Sequence, residues 1–177
     1  FGPDKTLSVA EVSAAIEASG AAEIICLPNR ASHISMFEAA AEGARKRGVR
    51  VAVLPTTVQV QGLTALAVHD PGRPFDVVVV AMSNAAGATR HGAVTIASED
   101  GITMAGPCRA GDVLGVVNGD FAVVGSSQVE VAFEVLQRLD LATAELVTMV
   151  VGRDGSVADC EEVSNLVAKV TPHVDFE

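Results

Sequence analysis

Glu23-Ile24-Ile25-Cys26-Leu27-Pro28-Asn29 and Arg50-Val51-Ala52-Val53-Leu54-Pro55-Thr56 are two short apolar runs, each closed by a proline and a polar residue. Neither run alternates strictly between apolar and polar residues, so both faces of each need cover. That is the pattern of buried strands in a parallel sheet, and parallel strands need a long crossover. The segment between them supplies one. From Ser32 onward, Ile34, Phe37, Ala41 and Ala44 recur at helical spacing, and Gly48 ends the helix. A strand–helix–strand unit with a right-handed crossover is therefore expected.

Upstream, Ser8 and Glu11 have capping-box spacing and Val12, Ala15 and Ile16 share a face, which predicts a helix over 9–19 stopped by Gly20. Downstream, 61–69 reads as a short helix and Asp70-Pro71-Gly72-Arg73-Pro74 as a turn. The segment 76–88 mixes a β-branched run, Val77 to Val80, with helix-favouring residues, and its length tips it towards helix. The character changes at Arg90. Segments 93–97 and 102–105 flank Glu99-Asp100-Gly101 and predict an antiparallel hairpin. Segments 113–117 and 121–124 predict a second around Asn118-Gly119-Asp120, because Asn and Gly accept the positive φ of a type I′ turn. A helix over 127–139, a buried strand over 146–151, a helix over 160–170 and a strand near Val174 complete the chain. The expected fold class is α/β with two lobes: a parallel α/β lobe over 1–90 and a hairpin-containing α+β lobe over 91–177.

Composition narrows the function classes. The chain has 177 residues, 49% of them hydrophobic, yet its aromatic residues are six Phe only, so Val, Ala, Leu and Ile must fill the core. Its 22 Asp and Glu against 12 Lys and Arg give a formal charge of −10, which repels nucleic-acid phosphates and anionic lipid heads. The cluster Arg45, Lys46, Arg47 and Arg50 reads as a solvated helix end favoured by the macrodipole. Three cysteines without a CxxC pair suit a reducing compartment and signal neither a disulfide framework nor a cysteine-rich zinc site. Residues 1–7 lack an apolar signal core, and the apolar run from Val77 to Met82 is too short to span a bilayer. The expectation is a cytoplasmic protein without membrane insertion.

In parallel sheets ligands gather beyond the carboxyl ends of strands. Two such ends carry Pro28-Asn29-Arg30 and Pro55-Thr56-Thr57, so Asn29, Arg30, Thr56, Thr57 and Gln61 are candidates for a shared polar pocket. A plainer alternative is that Asn29 and the threonines cap the following helices. His33, His69, His91 and His173 lie in separate segments without metal-ligand spacing. His91, next to Arg90, is the exception to watch, because Arg90 has no obvious local partner and could clamp a phosphate or carboxylate. Asp112, Asp120 and Glu99 fall in turns, where carboxylates bond their own backbone. Neither GxxxxGK[ST], a GxGxxG after a strand, nor an Asp cluster with magnesium-ligand spacing is present. A Ser–His–Asp set from distant positions stays open.

Ile24-Ile25-Cys26-Leu27-Pro28-Asn29, Val53-Leu54-Pro55-Thr56-Thr57-Val58-Gln59-Val60-Gln61-Gly62-Leu63 and Ala86-Gly87-Ala88-Thr89-Arg90-His91-Gly92-Ala93-Val94-Thr95 resemble, in that order, the C-terminal domain of the A-type subunit of bacterial fatty acid kinase, a dihydroxyacetone kinase-like and DegV-like family. Pro107-Cys108, Gly111-Asp112-Val113-Leu114-Gly115-Val116 and Glu145-Leu146-Val147-Thr148 extend the pattern over nearly the whole chain, and the wording looks most like actinobacterial members. The resemblance implies a two-lobed fold similar to DegV and to the substrate subunit of dihydroxyacetone kinase. It also implies that ATP and magnesium sit on a separate kinase domain of a longer protein. This part would then dock a DegV-like fatty-acid-binding protein without catalysing transfer itself, so no catalytic residue or cofactor is assigned to it. A substrate domain binding dihydroxyacetone or a fatty acid is the alternative, and a homodimer built through the Ala-rich helices is a third reading. The pattern departs at Thr57, where many members carry a basic residue, and at Val174-Asp175-Phe176-Glu177, where relatives continue; a fragment of a longer kinase is expected.

Overall fold

Ser8 opens the first helix as its spacing predicts: its hydroxyl accepts the Glu11 N–H at 3.3 Å while the Glu11 carboxylate accepts the Ser8 N–H at 3.0 Å. The computed structural model describes residues 7–177. The reading of the N-terminus as free of a signal core falls, apart from Leu7, outside the described residues. Helix α1 (Val9–Ser19) ends at Gly20, whose φ of 61° is left-handed. The chain divides into two compact units between Thr89 and Arg90.

In the first unit, β1 (Glu23–Cys26) and β2 (Arg50–Val53) pair in parallel, Glu23 opposite Arg50 and Cys26 opposite Val53. Between them run a 3₁₀ turn (Ala31–His33) and α2 (Ile34–Lys46). The two strands sort their side chains with period two, which is why continuous apolar runs were needed. Cys26 and Val51, with Ile24 and Val53, join the core of α1 and α2 around Val12, Ile16, Phe37, Ala40, Ala41 and Ala44. Ile25, Leu27, Ala52 and Leu54 face a second core made by α3 (Gln59–Ala67) and α4 (Phe75–Ala88), with Ala65, Val78, Met82 and Ala86. The β-branched start of α4 is helical because Val78 and Met82, four residues apart, both enter this core. Burying side chains of that size contributes about 1.5–3 kcal/mol each, which exceeds the local strand preference.

The second unit is built on an antiparallel sheet, β3 (Gly92–Ile96), β6 (Val113–Val117) and β7 (Asp120–Gly125), with β6 in the middle. The β6–β7 hairpin is the one the sequence predicts: Asn118 and Gly119 close it at φ 52° and 98°. The first predicted hairpin is not formed as read. β3 pairs with β6, Ala93 opposite Val116 and Thr95 opposite Leu114, while β4 (Gly101–Thr103) pairs with β5 (Gly106–Cys108). The reason is burial. Val113, Leu114 and Gly115 are buried, and β3 gains more by closing on them than on the exposed Ile102 and Met104.

Helix α5 (Gln128–Arg138) lies on the sheet through Val131 and Val135, which join Val113 and Val123. A third core joins α5 to α6 (Val157–Val170) through Val129, Ala132, Val163 and Val167. The expected strand over 146–151 shrinks to β8 (Leu146–Val147), whose parallel partner β9 (Asp175–Phe176) is equally short. Leu146, Val150 and Val151 are exposed there, so the apolar run does not reflect a buried strand. The last helix starts earlier than predicted because Ser156 caps it, accepting the Asp159 N–H at 3.1 Å. Among the described residues no helix is long and apolar enough to cross a membrane.

Candidate functional site

Two bonds tie the strand ends of the first unit together: the Leu54 N–H donates to the Cys26 carbonyl at 3.0 Å, and the Asn29 N–H donates to the Thr56 hydroxyl at 3.0 Å. Asn29 can present its N–H this way because its φ of 54° turns the chain sharply after Pro28, a conformation Asn tolerates better than most residues. Thr56 is 1% exposed, an unusual burial for a threonine, and its own N–H donates to the Leu54 carbonyl at 2.7 Å. One residue on, the Gln61 amide oxygen accepts both the Thr57 N–H at 2.9 Å and the Thr57 hydroxyl at 3.1 Å. Gln61 thereby closes the first turn of α3, whose N-cap, Val58, offers no capping side chain. The predicted threonine caps are thus replaced by a glutamine reaching back.

Asn29, Thr56, Thr57 and Gln61 therefore gather at one end of the first unit. Arg30 is exposed beside them, at the entry to the 3₁₀ turn. The Asn29 side-chain oxygen is buried without a hydrogen-bond partner, an acceptor left over in a region where most polar groups bond each other. Gln61 also lines a cleft of about 140 Å³ with Leu54, Pro55, Ser83, Ala86 and Gly87. That volume suits a few heavy atoms and is below the usual range for drug-sized ligands. The contribution of Ser83, Ala86 and Gly87 was not legible in sequence, because it depends on how α4 packs on α3.

Arg90 and His91 fall in the second unit. The Arg90 guanidinium donates to the Asp140 carbonyl at 3.1 Å and the Thr143 hydroxyl at 2.9 Å, and lies 3.3 Å from the Asp140 carboxylate. Its partners are some fifty residues away in sequence, so no local signal showed them. Asp140 itself sits at φ 61°, with the Thr143 hydroxyl donating to its carboxylate at 2.8 Å. The half-buried His91 leaves its Nδ1 buried without a hydrogen-bond partner.

Of the basic cluster, Arg45, Lys46 and Arg47 sit at the end of α2 as expected, whereas Arg50 lies past it as the first residue of β2. Arg45 pairs with Glu38, Lys46 with Glu42 and Arg47 with Glu17, while Arg50 pairs with Glu23 and Asp76 and lies over the Phe75 ring at 4.7 Å. Arg45 also donates to the Val51 carbonyl at 2.8 Å. The Lys46 ammonium holds the Glu42 carboxyl below its ordinary range through a hydrogen bond. Burial pushes the Cys26 thiol above its ordinary range, against a smaller opposing pull from Arg45. All three cysteines are free, and no group of three or more His, Cys, Asp or Glu among the described residues is placed to hold a metal. In the turns, the Asp112 carboxylate accepts the Arg109 N–H at 2.7 Å, the backbone role its position suggests.

A family model for the C-terminal region of A-like subunits of fatty acid kinase, the FakA-like C-terminal family, matches residues 1–177. Among curated proteins, Protein YloV of Bacillus subtilis (strain 168) is 25% identical over 170 residues, which is 96% of this chain and 30% of the relative. An uncharacterized protein of Staphylococcus aureus (strain bovine RF122 / ET3-1) is 23% identical over 170 residues, with the same coverage of 96% and 30%. The chain thus spans about 30% of the length of these relatives.

Proposed function

The chain belongs to the FakA-like C-terminal family of fatty acid kinase, and from that membership we propose that it is the partner-docking domain of an acyl phosphate-forming kinase. Its partner is a DegV-like protein carrying the fatty acid. ATP and magnesium belong to a separate kinase domain of the longer protein, and the sequence of this chain carries no glycine-rich phosphate loop. The observation that carries the reading is the family match over the whole of residues 1–177. Calorimetric titration of the chain with a fatty-acid-loaded DegV-like protein tests it. Saturable one-to-one binding is expected, and heat no greater than dilution would count decisively against docking.

A second reading, a small-molecule site, is favoured by one observation: Gln61, bonded to Thr57 beyond the end of β2, lines a cleft with Leu54, Pro55 and Ser83. A cleft of about 140 Å³ suits a triose such as dihydroxyacetone better than a fatty acyl chain. A melting temperature that rises with dihydroxyacetone concentration, as binding to the folded form alone requires, would favour this reading.

A further inference from the structure

Ile102 and Met104 are each 91% exposed, whereas the other exposed aliphatic residues of the second unit reach at most 66%, at Val157. Folding gains nothing from holding two large apolar side chains so far into water. Their support is nevertheless ordered. In the turn between β4 and β5, the Thr103 hydroxyl donates to the Gly106 carbonyl at 2.9 Å and accepts the Ala105 N–H at 3.1 Å. At the base, Cys108 is buried with Ala97 and Leu114. The Asp100 carboxylate accepts the Ala110 N–H at 2.9 Å and that of Asp112 the Arg109 N–H at 2.7 Å. The tip is therefore preorganised, which lowers the conformational cost of burying it in a partner.

We propose that the β4–β5 hairpin is the docking finger of this domain, with Ile102 and Met104 entering an apolar pocket whose rim is basic on the fatty-acid-carrying partner. This rests on the docking reading above. The charge of the rim follows from the finger itself: residues 99–112 carry Glu99, Asp100 and Asp112 against Arg109 alone, in a chain of net charge −10. A partner of opposite sign is steered towards it. Strand addition by a second copy along β5 is disfavoured, because Pro107 has no N–H to offer a ladder. Met104 adds an unbranched, adaptable side chain, suited to pockets whose shape varies with the acyl chain they carry.

The test compares the parent chain, Ile102→Asp/Met104→Asp, Ile102→Leu/Met104→Leu and the control Val150→Asp in calorimetric titration with a fatty-acid-loaded DegV-like protein, with melting temperatures and light-scattering masses recorded for each. The inference predicts that the Asp pair weakens binding about thirtyfold or more, that the Leu pair and the control bind within about threefold of the parent, and that all melt alike. Glu99→Lys should slow association and lessen its dependence on salt. Binding by the Asp pair equal to the parent's overturns the finger and leaves the docking reading intact. Failure of the parent chain itself to bind overturns both. A parent that is dimeric and made monomeric by the Asp pair, with carrier binding unchanged, assigns the tip to a second copy and overturns the inference.

Discussion

The side-chain amide of Asn29 occupies the space that a Cβ on Gly62 would need: such a carbon would lie 2.6 Å from Nδ2 and 2.7 Å from Cγ. Gly62 is buried in α3, where a glycine ordinarily costs helix stability, so its presence is explained by this approach of the β1 end to the helix. Gly62→Ala should destabilise the first unit by about 1–3 kcal/mol, the overpacking outweighing a helix-propensity gain of about 1 kcal/mol. Asn29→Gly, which keeps the positive φ without the amide, should rescue it. Urea midpoints of the single and double variants would show the coupling, and strict additivity would refute the contact.

Thr56 holds the neighbouring strand end through its hydroxyl rather than its volume. Thr56→Val keeps the shape and leaves the Asn29 N–H without its acceptor, at a cost of about 1–3 kcal/mol. Amide exchange separates this from simple repacking. The Asn29 N–H should lose protection in Thr56→Val and keep it in Thr56→Ser.

Two glycines of the second unit should respond differently to alanine. A Cβ on Gly115 would meet Val135 at 2.6 Å and Val123 at 2.9 Å, both from buried residues with little room to move. Gly115→Ala should cost about 1–3 kcal/mol through overpacking. Gly119, at φ 98° with nothing within 4 Å of a built Cβ, should cost about 1–2 kcal/mol through backbone strain alone. Asn is tolerated there better than Ala if strain is the cause, so Gly119→Asn should recover part of the loss.

The Cys26 thiol titrates above its ordinary range in the folded protein, chiefly through burial. Because the folded value is the higher one, its contribution to stability is complete below the unfolded thiol pKa, about 8.5, and is lost as pH rises through it towards the folded value. Thermal melts from about pH 8 to 10 should therefore fall more steeply for the parent than for Cys26→Ala, whatever the offset between them. Alkylation of the native protein should label the half-exposed Cys160 before the buried Cys26 and Cys108.

Local chemistry was enough to place α1, β1, α2 and β2 of the first unit. The Ser8–Glu11 box, the glycine after α1 and the continuous apolar runs of β1 and β2 act over a few residues, and their physics is the same in any chain that contains them. The Asn118-Gly119 hairpin belongs to the same class, since its turn is fixed by two residues that accept positive φ. Family resemblance, carried by ordered motifs, was equally present in the residues alone, and the match over 1–177 agrees with it.

What tertiary structure decided was which surfaces meet. Nothing near β3 told it to pass over β4 and pair with β6, because the choice turns on burial of Val113 and Leu114, whereas closing a somewhat longer loop costs little. The same holds for Arg90, whose acceptors arrive only when Asp140 and Thr143 fold back beside it, and for Gln61, which reaches the cleft wall of α4 only through packing of α3. Periodicity states that a side chain must be covered or left in water. Only the assembled cores settle by what, which is why the two bare side chains of Ile102 and Met104 are visible as a surface in the folded unit and not in the sequence.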